Sequence, residues 1–218
     1  MSYVIGVVGH ATRADMVDNL TRTVEPEFAH IDNGVLGPGR NHVHVLAHMW
    51  NLGGNTDWYV VIEDDAIPVA GFRHQLAAAL AAAPTSVVSL YNGTGHPAQY
   101  QRRFAEAAKQ SDTCWIMHKA LRHAVGYAVH RETLPDVLHR MGALAGQGWA
   151  PDDAISRWLG ETGKQVSYTN PSLCDHADGP PTIKNRTHLG HPTFGRTKPR
   201  RAHWTGTRLT WYGPVATV

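Results

Sequence analysis

Residues 58–62, Trp-Tyr-Val-Val-Ile, form an unbroken apolar run that stops abruptly at three carboxylates, Glu63, Asp64 and Asp65. A run with no polar face suits a strand covered on both sides, as in a parallel sheet flanked by helices. Residues 3–8 (YVIGVV) and 86–91 (SVVSLY) have the same character. Helical spacing lies between these runs: Met16, Leu20 and Val24 up to Pro26; His42, Val45, Leu46, Met49 and Trp50 up to Gly53; Phe72, Leu76 and Leu80 before Pro84. With a short strand at 28–31, the first hundred residues alternate strand and helix, which predicts a mostly parallel α/β sheet.

The second half reads differently. A short polar helix is expected at 98–109, and strands at 113–118 and 124–130 are close enough in sequence to suggest a hairpin. Helices carrying Pro135 and Pro151 in their first turns follow, then a strand at 165–169. From about 177 the chain is rich in Gly, Pro, Arg and Thr and reads as an extended tail on the same domain. The expected division is 1–180 for the main domain and 181–218 for the tail.

Length and charge narrow the classes of function. The 218 residues suit one domain with a real core, and 17% charged residues do not make a disordered polyelectrolyte. A net charge of +2 argues against a dedicated nucleic-acid binder. The segment KPRRAHWTGTRLTWYG (198–213) interleaves Arg with aromatics, a pattern that suits nucleic acid, a sugar or acceptor flap, or a packed arm. No apolar run reaches membrane-spanning length, and MSYVIGVVGH reads as a first strand rather than a signal peptide, so a cytoplasmic location is expected. Cys114 and Cys174 form no CxxC pair and are expected to be free thiols in or near the core.

The carboxylates carry the chemistry. Ligands of open α/β sheets sit at the carboxyl ends of strands, and like charges gathered there need a cation. Oxygen donors suit Mg²⁺ or Mn²⁺, and such a metal suits a diphosphate. In an extended segment Glu63 and Asp65 point the same way and share the metal, leaving Asp64 for a ribose or a backbone donor. The bland alternative is a solvated turn. Asp152 and Asp153 open a helix, where acids complement its dipole or act as a general base. His176, after Asp175, is a candidate third metal ligand. The turn Gly9-His10-Ala11-Thr12-Arg13 leads from strand to helix, where Gly9 lets a ligand approach the backbone and the helix start favours an anion or a polar heterocycle. Asp32 suits a base or ribose, and Arg13 and Arg40 suit phosphates. There is no GxGxxG and no Walker A loop. A zinc site at His188 and His191 is not expected, because their spacing misses a helical pair.

In order, the Arg40-Asn41-His42 turn and helix, the strand ending in VIEDDAIPV, AVGYAVHRETLPDVL, Pro151-Asp152-Asp153, and Pro171-Ser172-Leu173 with Asp175-His176 resemble the family 25 type of glycosyltransferases, which includes lipooligosaccharide galactosyltransferases and the collagen galactosyltransferase domain. Asn41 replaces the Ser of that pattern, and the shorter chain implies a reduced acceptor side. The resemblance implies a GT-A-like nucleotide-diphospho-sugar transferase fold, with a mostly parallel central sheet, flanking helices and a small antiparallel part. It implies Mn²⁺ or Mg²⁺ at a DxD-type motif, with Asp65 as direct ligand, Glu63 and Asp64 near metal or ribose, and His176 as a late ligand near the diphosphate. His42 falls with the donor-binding residues. Asp153 becomes the base, with Asp152 second.

The expected reaction is inverting transfer of a hexose from a nucleoside diphosphate sugar, with UDP as the expected nucleotide. The acceptor is a hydroxyl of a glycan, a lipid-linked sugar or a protein. Asn92 and Gly93 are expected near a sugar, and Trp149 against the acceptor ring. Alternative readings of the same acids are a metal-dependent phosphohydrolase or nucleotidyltransferase, and a non-catalytic module binding nucleic acid or glycan.

Overall fold

The computed structural model describes residues 1–94, 98–110, 112–177 and 201–218. His188, His191, residues 198–200 of the basic segment, and the expected 180/181 boundary lie outside these residues.

The first strands are β1 (Tyr3–His10), β2 (Phe28–Asp32) and β3 (Trp58–Glu63), joined by α1 (Ala14–Val24) and α2 (Gly37–Gly53). Both β2 and β3 pair parallel to β1, on opposite sides of it. The chain therefore crosses one way through α1 and back the other way through α2, which places the two helices on opposite faces. Ile5, Val7, Val60 and Ile62 pack with α1, while Val8, Tyr59 and Val61 pack with α2. All five residues of the 58–62 run are buried, as a doubly covered strand requires.

The remaining elements are β4 (Ala66–Pro68), α3 (Phe72–Ala81), β5 (Val87–Ser89), α4 (Ala98–Ala108), β6 (Trp115–His118), β7 (Gly126–His130), α5 (Leu134–Ala145), α6 (Pro151–Thr162), β8 (Val166–Thr169), β9 (Cys174–His176) and β10 (Val215–Thr217). The main sheet has the order β10-β6-β8-β5-β7-β3-β1-β2 and is mostly parallel, with antiparallel pairings at β3–β7, β7–β5 and β8–β6. β4 and β9 form a separate antiparallel ribbon.

Several expectations are corrected. β6 and β7 do not form a hairpin: β8 and β5 lie between them. The link crosses the sheet and is pinned on Tyr168, whose hydroxyl accepts from the Arg122 amide at 2.9 Å and donates to the Ala120 carbonyl at 2.8 Å. α2 starts inside the Gly-rich turn, with Pro38 in its first turn, where its missing N–H costs no helix bond. α1 buries Leu20 and Val24 of the expected row, with Val17 in place of the half-buried Met16. The two thiols are free and buried, as expected.

Residues 201–218 contribute to the sheet and core. β10 adds an edge strand parallel to β6. Trp211 is buried, receives the Trp115 indole N–H on its carbonyl at 3.0 Å and donates its own to Gln75 at 3.1 Å. No helix among the described residues is long and apolar enough to cross a membrane.

Candidate active site

The strand order reverses between β1 and β3, so the crevice of an open α/β sheet falls at their carboxyl ends. β1 ends in His10 and β3 in Glu63, and the pairing registers carry the two ends side by side. The Asp64 amide donates to the Val8 carbonyl at 3.0 Å. The Asp64 carboxylate then accepts the His10 amide at 2.8 Å, extending the β1–β3 contact by one side chain.

The carboxylates do not alternate as an extended strand would place them, because Asp64 and Asp65 occupy a turn between β3 and β4. One Arg13 nitrogen lies 2.8 Å from Asp64 Oδ1 and 2.6 Å from Asp65 Oδ2. The expectation that Glu63 and Asp65 pair while Asp64 turns away is thus replaced: Asp64 and Asp65 converge on Arg13. Glu63 faces α2, where its Oε1 lies 3.2 Å from His42 Nε2. Arg13, expected to suit a phosphate, is buried and holds these two carboxylates. The cation that tames these like charges is, in the first instance, a guanidinium.

Burial drives the Asp65 carboxyl up to about 7, helped by the charges of Glu63 and Asp64 and opposed by Arg13. Asp64 is raised as well, mainly by burial, against its bonds to Arg13 and the His10 amide. Asp65 Oδ1 is buried and has no hydrogen-bond partner among the described residues. On the other side, β9 pairs Ala66 with His176, and the Ala177 amide donates to the Asp65 carbonyl at 2.7 Å. This ribbon sets His176 Nε2 3.4 Å from Asp65 Oδ2.

The second part of the site is built on α2, β7 and α6. His42 is buried, with Nδ1 3.1 Å from the Tyr127 hydroxyl and its ring stacked on Tyr127 at 5.8 Å. A carboxylate on Nε2 makes that nitrogen the donor, so in the neutral ring Nδ1 accepts from the phenol. Burial holds the Tyr127 phenol well above its ordinary value, reinforced by the charges of Glu63 and Asp152. Asp152 also helps raise Tyr168, after burial. Asp152, buried in the first turn of α6, therefore stands near the Tyr127–His42–Glu63 chain, and Asp153 beside it is half-buried. α6 is brought this close by Gly39. A Cβ there would lie 2.4 Å from the Trp149 carbonyl, so only glycine lets the segment leading into α6 reach α2.

Other candidate residues take structural roles. A Cβ on Gly9 would meet Val17 at 2.4 Å, so this glycine makes room for α1 rather than for a ligand. Asp32 spends its carboxylate on the amides of Val35, Leu36 and Gly37 at 3.1, 3.0 and 2.9 Å. Burial would raise its pKa, but these amides bring it below the ordinary value. This is a loop and helix-start role. His10 caps the short 3₁₀ turn of residues 11–13, its ring accepting the Thr12 amide. Ala11 and Arg40 are exposed. Asn92 is buried, accepts the His203 amide at 2.8 Å and donates its own amide to Ser172 at 2.9 Å. Trp149 is partly buried against the core.

Sequence reasoning missed Tyr127 and saw Arg201 only as part of the basic segment; the Arg201 guanidinium donates to the His176 carbonyl at 2.7 Å. The contact between Arg201 and His176 spans 25 positions and has no local signal. A concavity of about 450 Å³ lies at the opposite end of β3, around Asp57, Trp58, Pro84 and His130, away from these groups.

No protein-family model and no curated protein matches the chain, so the likeness to family 25 rests on the motifs alone. Among solved structures, A197 from STIV is similar with a TM-score of 0.48 and 10% identity, covering 81% of this chain and 85% of that one. A glycosyltransferase involved in glycosylation of the major capsid of PBCV-1 has a TM-score of 0.44 and 8% identity, covering 81% and 96%. A nucleoside-diphosphate-sugar pyrophosphorylase from Vibrio cholerae RC9 has 0.38 and 8%, covering 76% and 72%. Scores of this size carry no conclusion about chemistry.

Proposed function

We propose that the chain is a metal-assisted glycosyltransferase that moves a hexose from a nucleoside diphosphate sugar, a UDP-sugar by expectation, to an acceptor hydroxyl with inversion. The observation that carries this reading is Asp65 at the switch point of the sheet: its buried Oδ1 has no hydrogen-bond partner among the described residues, and its Oδ2 faces His176.

Among the described residues no three His, Cys, Asp or Glu side chains form a ready metal cage. That fits Mg²⁺ or Mn²⁺, which take one or two protein ligands and complete their shell with substrate phosphates and water. Asp65 and His176 would hold the ion; Glu63, placed against His42, is kept as the more distant member. When bound, the metal neutralises charge developing on the leaving diphosphate.

The rest is work for the chain. Arg13 fixes Asp65 by one oxygen and leaves the other turned away from it. The His10–Arg13 turn borders the crevice and offers backbone to the nucleotide. Asp153, the more exposed of the two acids that open α6, takes the proton from the acceptor hydroxyl as that oxygen attacks the anomeric carbon and the diphosphate leaves from the opposite face. Buried Asp152 supports the Tyr127–His42–Glu63 chain.

The test is a thermal-shift panel of nucleoside diphosphates and their sugars with and without Mn²⁺, followed by product analysis. A metal-dependent upward shift with one nucleotide, and sugar released or transferred with intact nucleoside diphosphate, supports the reading. Release of a nucleoside monophosphate assigns the acids to phosphohydrolase or nucleotidyltransferase chemistry instead.

A further inference from the structure

In the β4–β9 ribbon Ala66 stands opposite His176, and the Ala177 amide donates to the Asp65 carbonyl. In an antiparallel pair that pattern turns the amide and carbonyl of His176 away from β4, to the outer side of the ribbon. Both are taken up there. The Arg201 guanidinium donates to the His176 carbonyl at 2.7 Å. The His176 amide donates to Asp175 Oδ1 at 2.9 Å, and the same oxygen accepts the Ala202 amide at 2.7 Å. Arg201 Nε lies 4.0 Å from Asp175 Oδ2.

Residues 201–203 are held in turn by the loop after β5. Gly93 and Ala202 form an antiparallel bridge. The Thr94 amide donates to the Arg201 carbonyl at 2.7 Å, and the His203 amide to the Asn92 carbonyl at 2.8 Å. The loop can make these bonds because residue 93 is glycine: a Cβ there would lie 2.3 Å from the Tyr91 ring. The same Tyr91 ring stands 6.2 Å from the His176 ring. His176 is thus supported at its ring by Tyr91 and along its backbone by residues 201 and 202, and the loop at 91–94 carries both supports.

We propose that residues 201–203 are a clamp that sets the position of His176, with Arg201 as a positioning residue for the metal and diphosphate half of the site. The inference rests on the glycosyltransferase reading, in which Asp65 and His176 hold the ion. Arg201 acts through the backbone of His176, not on the reacting atoms. Groups that support a ligand from behind govern metal affinity by about 10–100-fold. The Arg201 side chain is 43% exposed, so its removal takes little from the core and its effect on the site can be read apart from folding.

The experiment is calorimetric titration of the full chain with Mn²⁺ and UDP, or with whichever nucleoside diphosphate of the panel raises the wild-type melting point most. Melting curves of every variant without ligand establish folding. Arg201→Ala is expected to bind about tenfold or more weakly. Arg201→Lys, which keeps a donor for the carbonyl, is expected to recover most of that loss. Arg102→Ala, at an exposed position paired within α4, is expected to bind as the wild type does. In transfer assays the donor KM of Arg201→Ala should rise while kcat stays within about twofold, the mark of lost binding rather than lost chemistry. Unchanged affinity in folded Arg201→Ala overturns the proposal. So does a fall in kcat as large as the loss of affinity, which general loosening of the site would give. If no nucleoside diphosphate binds the wild type with Mn²⁺, the glycosyltransferase reading fails and the proposal falls with it.

Discussion

His42 Nε2 lies 3.2 Å from Glu63 Oε1, and that contact joins helix α2 to the last residue of β3. The histidine is fixed from behind by Tyr127, a fully buried phenol. Tyr127→Phe keeps the ring stacking but leaves Nδ1 without its donor. A buried acceptor stripped of its partner costs about 1–3 kcal/mol. Urea unfolding should show a loss in that range; a change below about 0.5 kcal/mol, the level of an ordinary surface substitution, would mean that the bond contributes nothing.

Arg13 neutralises two buried carboxylates at once. Replacing it by Met should cost about 3–5 kcal/mol, because breaking a buried ion pair leaves its partner charges uncompensated. The double variant Arg13→Met, Asp64→Asn should recover part of that loss. Chemical denaturation measures both, and equal stability of the two variants would contradict the shared role of the guanidinium.

Stability should also respond to pH through Asp65. Its folded pKa, near 7, lies above that of an unfolded aspartate, so the folded state binds a proton more tightly. The resulting stabilisation is fully present below about pH 4 and is lost as pH rises through 7. Asp32 works in the opposite direction: its lowered pKa gives stability that is present above about pH 4 and lost in more acidic solution. Between pH 4 and 7.5 the wild type should therefore lose stability relative to Asp65→Asn. Parallel stability–pH curves for the two proteins would rule this out. Mn²⁺ favours the ionised carboxylate, so its thermal shift should grow over the same interval.

Transfer chemistry separates the two acids that open α6. Asp153→Asn should lower the transfer rate by about 10²–10⁴-fold, the usual contribution of a general base, while donor binding persists. Rapid-quench assays together with nucleotide titration test this. A fully active Asp153→Asn protein would move the base elsewhere, with Asp152 next to be examined.

Trp211 is the anchor of residues 201–218. Trp211→Ala removes a buried indole and its bond to Gln75, and should cost about 3–5 kcal/mol in thermal or urea unfolding.

The sequence was informative where burial is two-sided or periodic. Residues 58–62 could only be an inner strand, and the rows Phe72–Leu76–Leu80 and Val45–Leu46–Met49 marked helix faces that are buried. Proximity in sequence misled at β6 and β7, because nothing local reveals that β5 and β8 lie between them. The acid triplet was legible as a cluster at a strand end. Its internal arrangement was not, since the side-chain directions depend on a turn at Asp64-Asp65 and on Arg13, 51 and 52 positions away. Gly9 and Asp32 showed the same ambiguity: a small residue or an acid beside a crevice serves neighbouring chain as readily as a ligand. For Gly9 the neighbour is Val17, and for Asp32 it is the following amides.

Gly39 has no functional group, yet it governs how far the acids at the end of β3 stand from those opening α6. The two sets belong to different supports that meet where a single hydrogen atom faces the Trp149 carbonyl. A methyl group at that point would act as a wedge, carrying the acids that open α6 away from those of β3 without removing a single charged group from the protein.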